Sequence, residues 1–272
     1  MEVIRAERVG LKFYRHRRRR TLRGVFVGTR TLRRRDDPWF WALREVSFAV
    51  RQGETLGVIG RNGSGKSTLL RLLGGIYAPN EGALRVNGSV STLLSVTAGF
   101  QSELTGIENV YLNAALTGFR RAEVDHCLQS IVEFSELGEF AQAPVKTYSS
   151  GMTARLGFSI AVHLKRDIML VDEVLGVGDA SFKEKSSREI RRIMNENRTV
   201  ILTSHSMESI RSLATQAMWL EKGNVMGYGD PETIVTAYLD AQRLTSTAAA
   251  ETSRSLAEQP RSAGQRPLQQ GA

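Results

Sequence analysis

Residues 60 to 68 read Gly60-Arg61-Asn62-Gly63-Ser64-Gly65-Lys66-Ser67-Thr68 and match the pattern G-x-x-x-x-G-K-[ST] in full. Glycines in such a loop let successive backbone N–H groups turn toward a phosphate, and a following helix N-terminus adds positive dipole. The apolar segment 55–59 predicts a strand before the loop, and residues 67–73 predict a helix after it. The loop therefore predicts an ATP site, in which Lys66 neutralises the β- and γ-phosphates and Ser67 binds Mg²⁺.

A second segment ends in two carboxylates, Ile168-Met169-Leu170-Val171-Asp172-Glu173. Its apolar run predicts a buried strand, and sites in open α/β sheets lie at the carboxyl ends of strands. We expect Asp172 to hold Mg²⁺, directly or through water. We expect Glu173 to polarise the attacking water, because phosphoryl transfer needs mainly positioning and charge stabilisation from the protein.

A third motif, Tyr148-Ser149-Ser150-Gly151-Met152, precedes a segment with helical spacing. Ser150 and Gly151 can bring a hydroxyl, a backbone N–H and a helix N-terminus toward a phosphate. The simpler interpretation is a serine that caps a helix. The acidic strand downstream favours the functional interpretation, in which the loop lies on a separate helical arm and faces the nucleotide of a second copy.

Together the three motifs resemble those of ATP-binding-cassette (ABC) ATPases, whose LSGGQ signature completes the ATP site of a partner subunit. Tyr148–Met152 resembles that signature, with tyrosine and methionine in place of leucine and glutamine. The resemblance covers about residues 1–240. It implies an α/β P-loop NTPase fold with a RecA-like core, an antiparallel β subdomain and a helical signature subdomain at about residues 97–165. It also implies a homodimer with two composite ATP sites.

Other positions acquire a role only through this resemblance. Asp179, at the end of Gly176-Val177-Gly178-Asp179, resembles the family's D-loop at the dimer interface. His205 matches the switch histidine that contacts the γ-phosphate, although a lone histidine is more often structural. Phe13 lies where the family stacks an aromatic ring on adenine; Tyr14 competes for that role, and an ordinary buried aromatic is the simpler interpretation of Phe13.

One family feature is displaced. ABC ATPases usually carry a glutamine between the glycine loop and the signature, and its expected register falls near Ser95-Val96. The nearest candidate is Gln101. Either Gln101 serves in its place at the nucleotide, or this loop couples differently.

Five segments of the sequence specify the resemblance further, at residues 41–48, 98–100, 103–109, 144–152 and 172–179. Together they resemble the ATP-binding subunits of polysaccharide exporters, which move O-antigen, capsule or teichoic acid chains. This is a resemblance to a subfamily of the ABC ATPases. It implies a peripheral subunit on the cytoplasmic face of the inner membrane that acts with an integral membrane permease on a lipid-linked glycan. Export of a lipid or drug, or a soluble nucleic-acid-associated ABC ATPase, are the alternatives; one cassette without sustained heptads argues against the last.

The net charge of +9 is concentrated at the N-terminus. Residues 1–35 hold 13 Lys or Arg against two Glu, and Arg15–Arg35 contains ten arginines and no acidic residue. Such a run is usually a solvated loop, and it could also bind a nucleic-acid backbone. Given the exporter resemblance, we expect contact with an anionic lipid surface or a carrier pyrophosphate, and no nucleic-acid partner.

Composition sets the remaining expectations. Cys127 is the only cysteine, so no internal disulfide forms, and a reducing cytosol fits. No apolar run reaches the roughly 20 residues of a membrane-spanning helix, and the basic N-terminus lacks the apolar stretch of a secretory signal. Asn87-Gly88 predicts a hairpin turn between two short strands. Residues 241–272 are polar, predict a disordered tail, and are too few to form a carbohydrate-binding domain.

Overall fold

The computed structural model describes residues 1–14, 38–93, 97–172, 179–196 and 198–257, with side chains up to residue 244. The arginine-rich segment 15–35, Ser95-Val96, Glu173 and residues 258–272 lie outside the described residues. Residues 1–235 form one compact unit, and the residues from Thr236 onward form another. Within the described chain, no helix combines the length and apolar character needed to cross a membrane.

The centre of the first unit is a six-stranded sheet. Its strands are β3 (Thr55–Ile59), β5 (Val90–Thr92), β6 (Ile168–Asp172), β7 (Thr199–Thr203), β8 (Gln216–Glu221) and β9 (Asn224–Gly229), in the spatial order β5-β6-β7-β3-β8-β9. All pairs are parallel except β8 with β9. Every residue of β3 and β7 is buried, as expected for parallel strands covered on both faces. Three helices belong to this core, α1 (Lys66–Leu73), α5 (Ala180–Asn195) and α6 (Met207–Leu213).

A three-stranded antiparallel sheet forms the β subdomain. Its strands β1 (Glu2–Tyr14), β2 (Trp39–Arg51) and β4 (Glu81–Val86) lie in the order β2-β1-β4. Buried residues of this sheet share one hydrophobic core with α1 and the six-stranded sheet. This packing brings the end of the β1–β2 pair, where Phe13 faces Phe40, beside the phosphate loop.

The expected hairpin at Asn87-Gly88 is wrong. The strand before it, β4, pairs with β1, whereas the strand after it, β5, pairs with β6 of the other sheet. The backbone N–H of Asn87 donates to Val3 O at 2.8 Å, and that of Ser89 donates to Asp167 Oδ2 at 2.7 Å. Asn87 and Gly88 therefore lie where the chain passes from one sheet to the other. The expectation failed because a turn signal in the sequence does not specify which strand each flanking strand pairs with.

The helical subdomain contains α2 (Gly106–Leu116), α3 (Arg121–Ser135) and α4 (Ser150–His163), with short 3₁₀ turns at Gly138–Gln142 and Val145–Thr147. Thr105 and Glu108 form a capping box that begins α2. Apolar residues of the three helices, including Val110, Ile131 and Leu156, form a separate core. The signature segment thus lies at the start of a helix with its own hydrophobic support.

The last helix, α7 (Pro231–Ala257), begins after Asp230, whose Oδ2 accepts from the Thr233 N–H at 2.9 Å. Residues 241–257 are helical, in contrast to the disordered tail that their composition predicts. That prediction weighed only their low apolar content. The segment contains no proline or glycine and includes several alanines, so no strong helix breaker ends the helix that begins at Pro231.

Candidate nucleotide site

The phosphate loop is shaped by two glycines that no other residue can replace without rearrangement. Gly60 has φ +152°, and a Cβ there would lie 2.1 Å from Leu220 O. Gly65 has φ +112°, and its Cβ would lie 2.7 Å from Ala42 O. Both contacts are with backbone atoms, which cannot move aside as a side chain can. The loop is therefore wedged between β2 and β8.

Lys66 lies under this loop and shapes it from inside. Its Nζ donates to Gly60 O at 2.7 Å and to Arg61 O at 3.2 Å, and the residue is only 8% exposed. Gly65 precedes α1 and has no side chain to cap it, so the first backbone N–H groups of the helix stay available to a bound anion. A buried ammonium and uncapped N–H groups form a strong anion site.

The loop opens into a cavity of about 450 Å³ that gathers most of the predicted residues. Asp172 reaches it from the carboxyl end of β6, and His205, which is exposed, reaches it from the segment after β7. Ser64 is buried and lies behind the lining, where its carbonyl accepts from the Gly223 N–H at 2.8 Å. The lining consists of Phe13, Phe40, Trp41, Ala42, Asn62, Gly63, Gly65, Lys66, Ser67, Thr68, Asp172, His205 and Lys222.

Ser67 and Asp172 provide oxygen atoms suited to a hard divalent cation. Asp172 is held in place by Thr203, whose Oγ1 donates to Asp172 Oδ1 at 2.6 Å. That bond occupies one acceptor position of the carboxylate, which has about four in all. Mg²⁺ prefers one or two carboxylate or hydroxyl oxygens combined with water and substrate phosphates, which this pair fits.

An aromatic wall closes one side of the cavity. The rings of Phe13 and Phe40 lie 5.8 Å apart with an interplanar angle of 33°, and Tyr77 packs edge-on against Phe13 at 5.3 Å. Tyr14, the competing candidate, does not line the cavity; it is 52% exposed and packs edge-on against Trp39. The structure thus places Phe13, and not Tyr14, beside the loop.

The signature residues form a second concave surface, of about 560 Å³, that contains no residue of the phosphate loop. Ser149 caps α4 by accepting from the Met152 N–H at 3.2 Å, and Ser150 and Gly151 form the first turn. The lining comprises Ser149, Ser150, Gly151, Met152, Ala154, Arg155 and Asp179. Asp179 therefore lies beside the signature residues, and neither Asp179 nor the signature lines the cavity at the phosphate loop.

Asp179 is oriented by several hydrogen bonds. Its Oδ1 accepts from the Phe182 N–H at 3.0 Å, and this bond caps α5. The same oxygen accepts from Ser181 Oγ at 2.9 Å. These bonds, the backbone one first, lower the pKa of Asp179 below its ordinary value. Its carboxylate therefore stays ionised at neutral pH.

Comparison with known proteins identifies the family of this chain. The model of the ABC transporter family matches residues 43–176. The O-antigen export system ATP-binding protein RfbB of Klebsiella pneumoniae is 43% identical over 202 residues, which is 74% of this chain and 82% of that protein. This chain belongs to the ABC transporter family.

Two further relatives of this ABC chain are longer proteins. The teichoic acids export ATP-binding protein TagH of Lactococcus lactis is 46% identical over 199 residues, 73% of this chain and 42% of that protein. RfbB of Myxococcus xanthus is 41% identical over 233 residues, 82% of this chain and 53% of that protein. The ABC chain thus spans about half the length of these two relatives.

Solved structures support the ABC ATPase fold. A dimeric, post-hydrolysis state of the ATP-binding cassette MJ0796 bound to ADP and phosphate superposes with a TM-score of 0.65 at 19% identity, covering 84% of this chain and 98% of that one. The ATP-binding subunit of another ABC transporter gives a TM-score of 0.68 at 19% identity, covering 90% of this chain and 99% of that one.

Gln101 does not line the nucleotide cavity of this ABC chain. Its backbone instead braces the helical subdomain, with its N–H donating to Asn109 Oδ1 at 2.7 Å and its carbonyl accepting from Asn109 Nδ2 at 3.0 Å. Asn109 is fully buried and lies in the first turn of α2. Gln101 therefore lies in the segment before α2 and outside the lining of the cavity at the phosphate loop.

Four lining residues of the ABC cavity were not predicted from the sequence, namely Phe40, Trp41, Ala42 and Lys222. Phe40 and Trp41 enter it because β2 pairs antiparallel with β1, which sets Phe40 opposite Phe13. Lys222 enters from the β8–β9 turn with φ +46°. That turn is fixed by a bond from the Arg44 N–H to Gly223 O at 2.8 Å and by the Gly223 bond to Ser64. The aromatic cluster 39–41 was a usable signal, whereas nothing local marks Lys222.

Proposed function

We propose that this chain is the ATP-hydrolysing nucleotide-binding subunit of an exporter that moves a lipid-linked polysaccharide through a separate integral membrane permease. The observation that carries the proposed ATPase activity is the pair of concave surfaces. One joins the phosphate loop with Asp172 and His205, and the other joins the signature with Asp179. Each surface lacks the groups of the other, so a second copy supplies what one chain cannot.

ATP hydrolysis is proposed to occur in the first cavity. Lys66 and the N-terminus of α1 would hold the β- and γ-phosphates, and Ser67 with Asp172 would hold Mg²⁺, which would neutralise charge on the phosphates. Water attacks the γ-phosphorus, the bond to the β–γ bridging oxygen breaks, and ADP departs. Glu173, which follows β6 in the sequence, accepts the water's proton, and His205 contacts the γ-phosphate.

A homodimer completes each site. Two chains related by a two-fold axis would place the signature surface of each over the cavity of the other, an isologous arrangement. Ser150, Gly151 and the N-terminus of α4 then face the γ-phosphate bound by the partner copy. Binding of ATP closes the dimer and hydrolysis reopens it.

A groove of about 290 Å³ supports docking of the permease. It lies between the end of α1, β5 and helices α2 and α4, and Ile76, which is 60% exposed, stands at its rim. Leu116, which precedes the lining residue Thr117, is 66% exposed, and the Arg166 guanidinium lies 3.6 Å from the Phe119 ring centroid in the lining. Exposed aliphatic residues around a cationic groove fit a short amphipathic permease segment with an acidic residue.

Replacing Ile76 with Asp tests this docking. The change should abolish copurification with the permease while leaving basal ATP hydrolysis within twofold, because Ile76 is not in the nucleotide cavity. Met226→Asp is the matched control, since Met226 is 56% exposed on β9 and outside the groove. Equal copurification of both variants would refute the assigned docking surface.

The polysaccharide substrate is proposed from the relatives, whose names specify O-antigen and teichoic acid export. The decisive experiment deletes the gene and analyses the cell-surface glycan, with complementation by the wild-type chain and by Glu173→Gln. We expect glycan to accumulate inside the cell in the deletion and the Glu173→Gln strains only. Normal surface glycan in the deletion strain would refute the polysaccharide assignment.

Contact with anionic lipid through Arg15–Arg35 is proposed from charge alone. Each basic residue near an anionic surface contributes about 1 kcal/mol. Replacing Arg17–Arg20 with serine should weaken binding to phosphatidylglycerol vesicles and leave ATP hydrolysis intact. Unchanged vesicle binding would refute this contact.

A further inference from the structure

Arg155 is the cation in the lining of the signature surface, and it joins two segments that are distant in sequence. It lies on α4, beyond the signature turn, and its side chain is 20% exposed. One guanidinium nitrogen contacts Glu136 Oε2 at 3.2 Å and the other contacts Asp179 Oδ2. The half-sheltered guanidinium thus bridges a carboxylate from the end of α3 and one from the start of α5.

Asp179 divides its two oxygens between different tasks. Oδ1 caps α5, and Oδ2 binds Arg155. The guanidinium carbon also lies 5.1 Å from the ring centroid of Phe182, which is fully buried and packs edge-on against Phe158 of α4 at 6.0 Å. Charge and packing therefore hold the start of α5 against α4 at the same place.

Glu136 is fixed from the other side. It follows α3 in a left-handed conformation, with φ +56°. Its Oε1 accepts from Lys185 Nζ at 2.7 Å, and the same Nζ donates to Phe134 O at 2.9 Å. The chain Asp179–Arg155–Glu136–Lys185 consequently ties α3, α4 and α5 together by alternating charges.

We propose that Arg155 is a positioning residue that sets Asp179 and the signature turn as one preassembled surface for the second copy's ATP. This rests on the proposed function, because it concerns the composite site of the homodimer. Ser149–Gly151 and Asp179 come from different helices, so each must be held relative to the other before the partner docks. Displacements of about 1 Å at such sites can cost about 100-fold in rate.

Arginine suits this position better than lysine. Its planar guanidinium presents several donors in a fixed fork and binds two carboxylates at once, whereas lysine offers a compact point charge. An ordinary surface ion pair contributes only about 0–1 kcal/mol to stability. If Arg155 acts by positioning, its replacement should lower kcat and ATP-dependent dimerisation strongly while thermal stability changes little.

The experiment compares Arg155→Met and Arg155→Lys with Lys185→Met. Lys185 belongs to the same chain of charges but does not line the signature surface, so its variant is the matched control. Each is made alone for steady-state kinetics, and in a Glu173→Gln background for ATP-dependent dimerisation by light scattering. Binding of a fluorescent ATP analogue by the monomer reports the phosphate loop separately.

We expect Arg155→Met to lower kcat by about 10- to 100-fold and to weaken ATP-dependent dimerisation at least as much as Arg155→Lys. Arg155→Lys should lie between wild type and Arg155→Met. Nucleotide affinity of the monomer should stay within about twofold for both, since Arg155 is outside the ATP cavity. Lys185→Met should stay within about twofold in kcat and dimerisation.

Several results would overturn the inference. Unchanged kcat and dimerisation in Arg155→Met would do so, and so would equal losses in Arg155→Met and Lys185→Met, which would indicate a general stabilising role. If Arg155→Met is insoluble, Arg155→Lys decides, and wild-type behaviour in that variant overturns the inference. If the Glu173→Gln chain with Arg155 intact stays monomeric in ATP, the proposed homodimer fails and this inference fails with it.

Discussion

Thr203 and Asp172 lie opposite each other at the carboxyl ends of two paired strands, and Thr203 Oγ1 donates to Asp172 Oδ1 at 2.6 Å. Thr203 is 2% exposed, so its hydroxyl holds the carboxylate from inside the sheet. The orientation of the proposed Mg²⁺ ligand is therefore set by the neighbouring strand. Supporting hydrogen bonds of this kind tune metal affinity by about 10- to 100-fold.

The first prediction concerns Thr203→Val, which keeps the shape of the side chain but removes its hydroxyl. We expect the Mg²⁺ concentration for half-maximal ATPase activity to rise about tenfold, because Asp172 loses its fixed orientation. Stability should fall by about 1 kcal/mol. The measurement is ATP hydrolysis across a Mg²⁺ titration, combined with urea unfolding.

Thr199→Val is the control for this prediction. Thr199 lies at the other end of β7 and accepts a hydrogen bond from the Gly53 N–H at 3.1 Å, far from the cavity. Its loss should lower stability by a similar amount without changing the Mg²⁺ requirement. A shifted requirement in both variants would show that strand stability, and not Asp172 orientation, is responsible.

The second prediction contrasts two glycines of the phosphate loop. Gly60→Ala should abolish ATP binding, because the new Cβ would lie 2.1 Å from Leu220 O and the loop would have to leave its place on β8. Gly63 has φ +79°, and within the described residues no atom lies within 4 Å of its Cβ position. Gly63→Ala should therefore cost only the left-handed backbone strain, about 1–2 kcal/mol.

Isothermal titration with ATP and thermal unfolding test this contrast. Gly63→Ala should retain measurable ATP binding in a folded protein, and Gly60→Ala should not. Equal affinities in the two variants would contradict the steric argument.

The sequence predicted those parts of the molecule that depend on local pattern. The strand at 55–59 matches its expected bounds, because a continuous apolar run is typical of a fully buried parallel strand. The capped starts of α4 and α7 also follow from local signals, at Ser149 and Asp230. In the candidate site, the phosphate loop and Asp172 were predicted from motif and order alone, and both line the same cavity.

Features that arise from distant pairings escaped prediction. β4 pairs with β1 and β5 pairs with β6, in two different sheets. Neither pairing is marked at the turn between the two strands, so its residues were interpreted as a hairpin turn. Lys222 reaches the cavity only because the β8–β9 turn docks on Ser64 and Arg44. Arg155 meets Asp179 and Glu136 through the packing of three helices, and no spacing along the chain encodes that contact.

The third prediction separates Phe13 from Tyr14. Phe13→Leu should weaken ATP binding about 5- to 150-fold, since stacking of a base on an aromatic ring contributes about 1–3 kcal/mol. Tyr14→Leu should have little effect, because Tyr14 lies outside the cavity. Inorganic triphosphate provides the internal control, since it has no base and should bind all three proteins equally well.

Competition of unlabelled ATP and triphosphate against a fluorescent nucleotide gives the affinities. Loss of triphosphate binding in Phe13→Leu would mean that the substitution disturbs the phosphate loop. A larger effect on ATP from Tyr14→Leu would transfer the base contact to Tyr14.

The last prediction concerns Lys222, whose position combines backbone strain with a place in the ATP cavity. Its φ of +46° is in the left-handed region that favours glycine, and its turn is bonded to the phosphate loop through Gly223 and Ser64. A non-glycine residue in this conformation costs about 1–2 kcal/mol. Lys222→Gly should therefore stabilise the fold modestly while raising KM for ATP several-fold, because a cation leaves the cavity. Lys222→Ala should raise KM equally without the gain in stability, and Lys222→Arg should keep KM near that of wild type. Steady-state kinetics and urea unfolding distinguish these effects, and an unchanged KM in both Lys222→Gly and Lys222→Ala would show that the ammonium does not act on ATP.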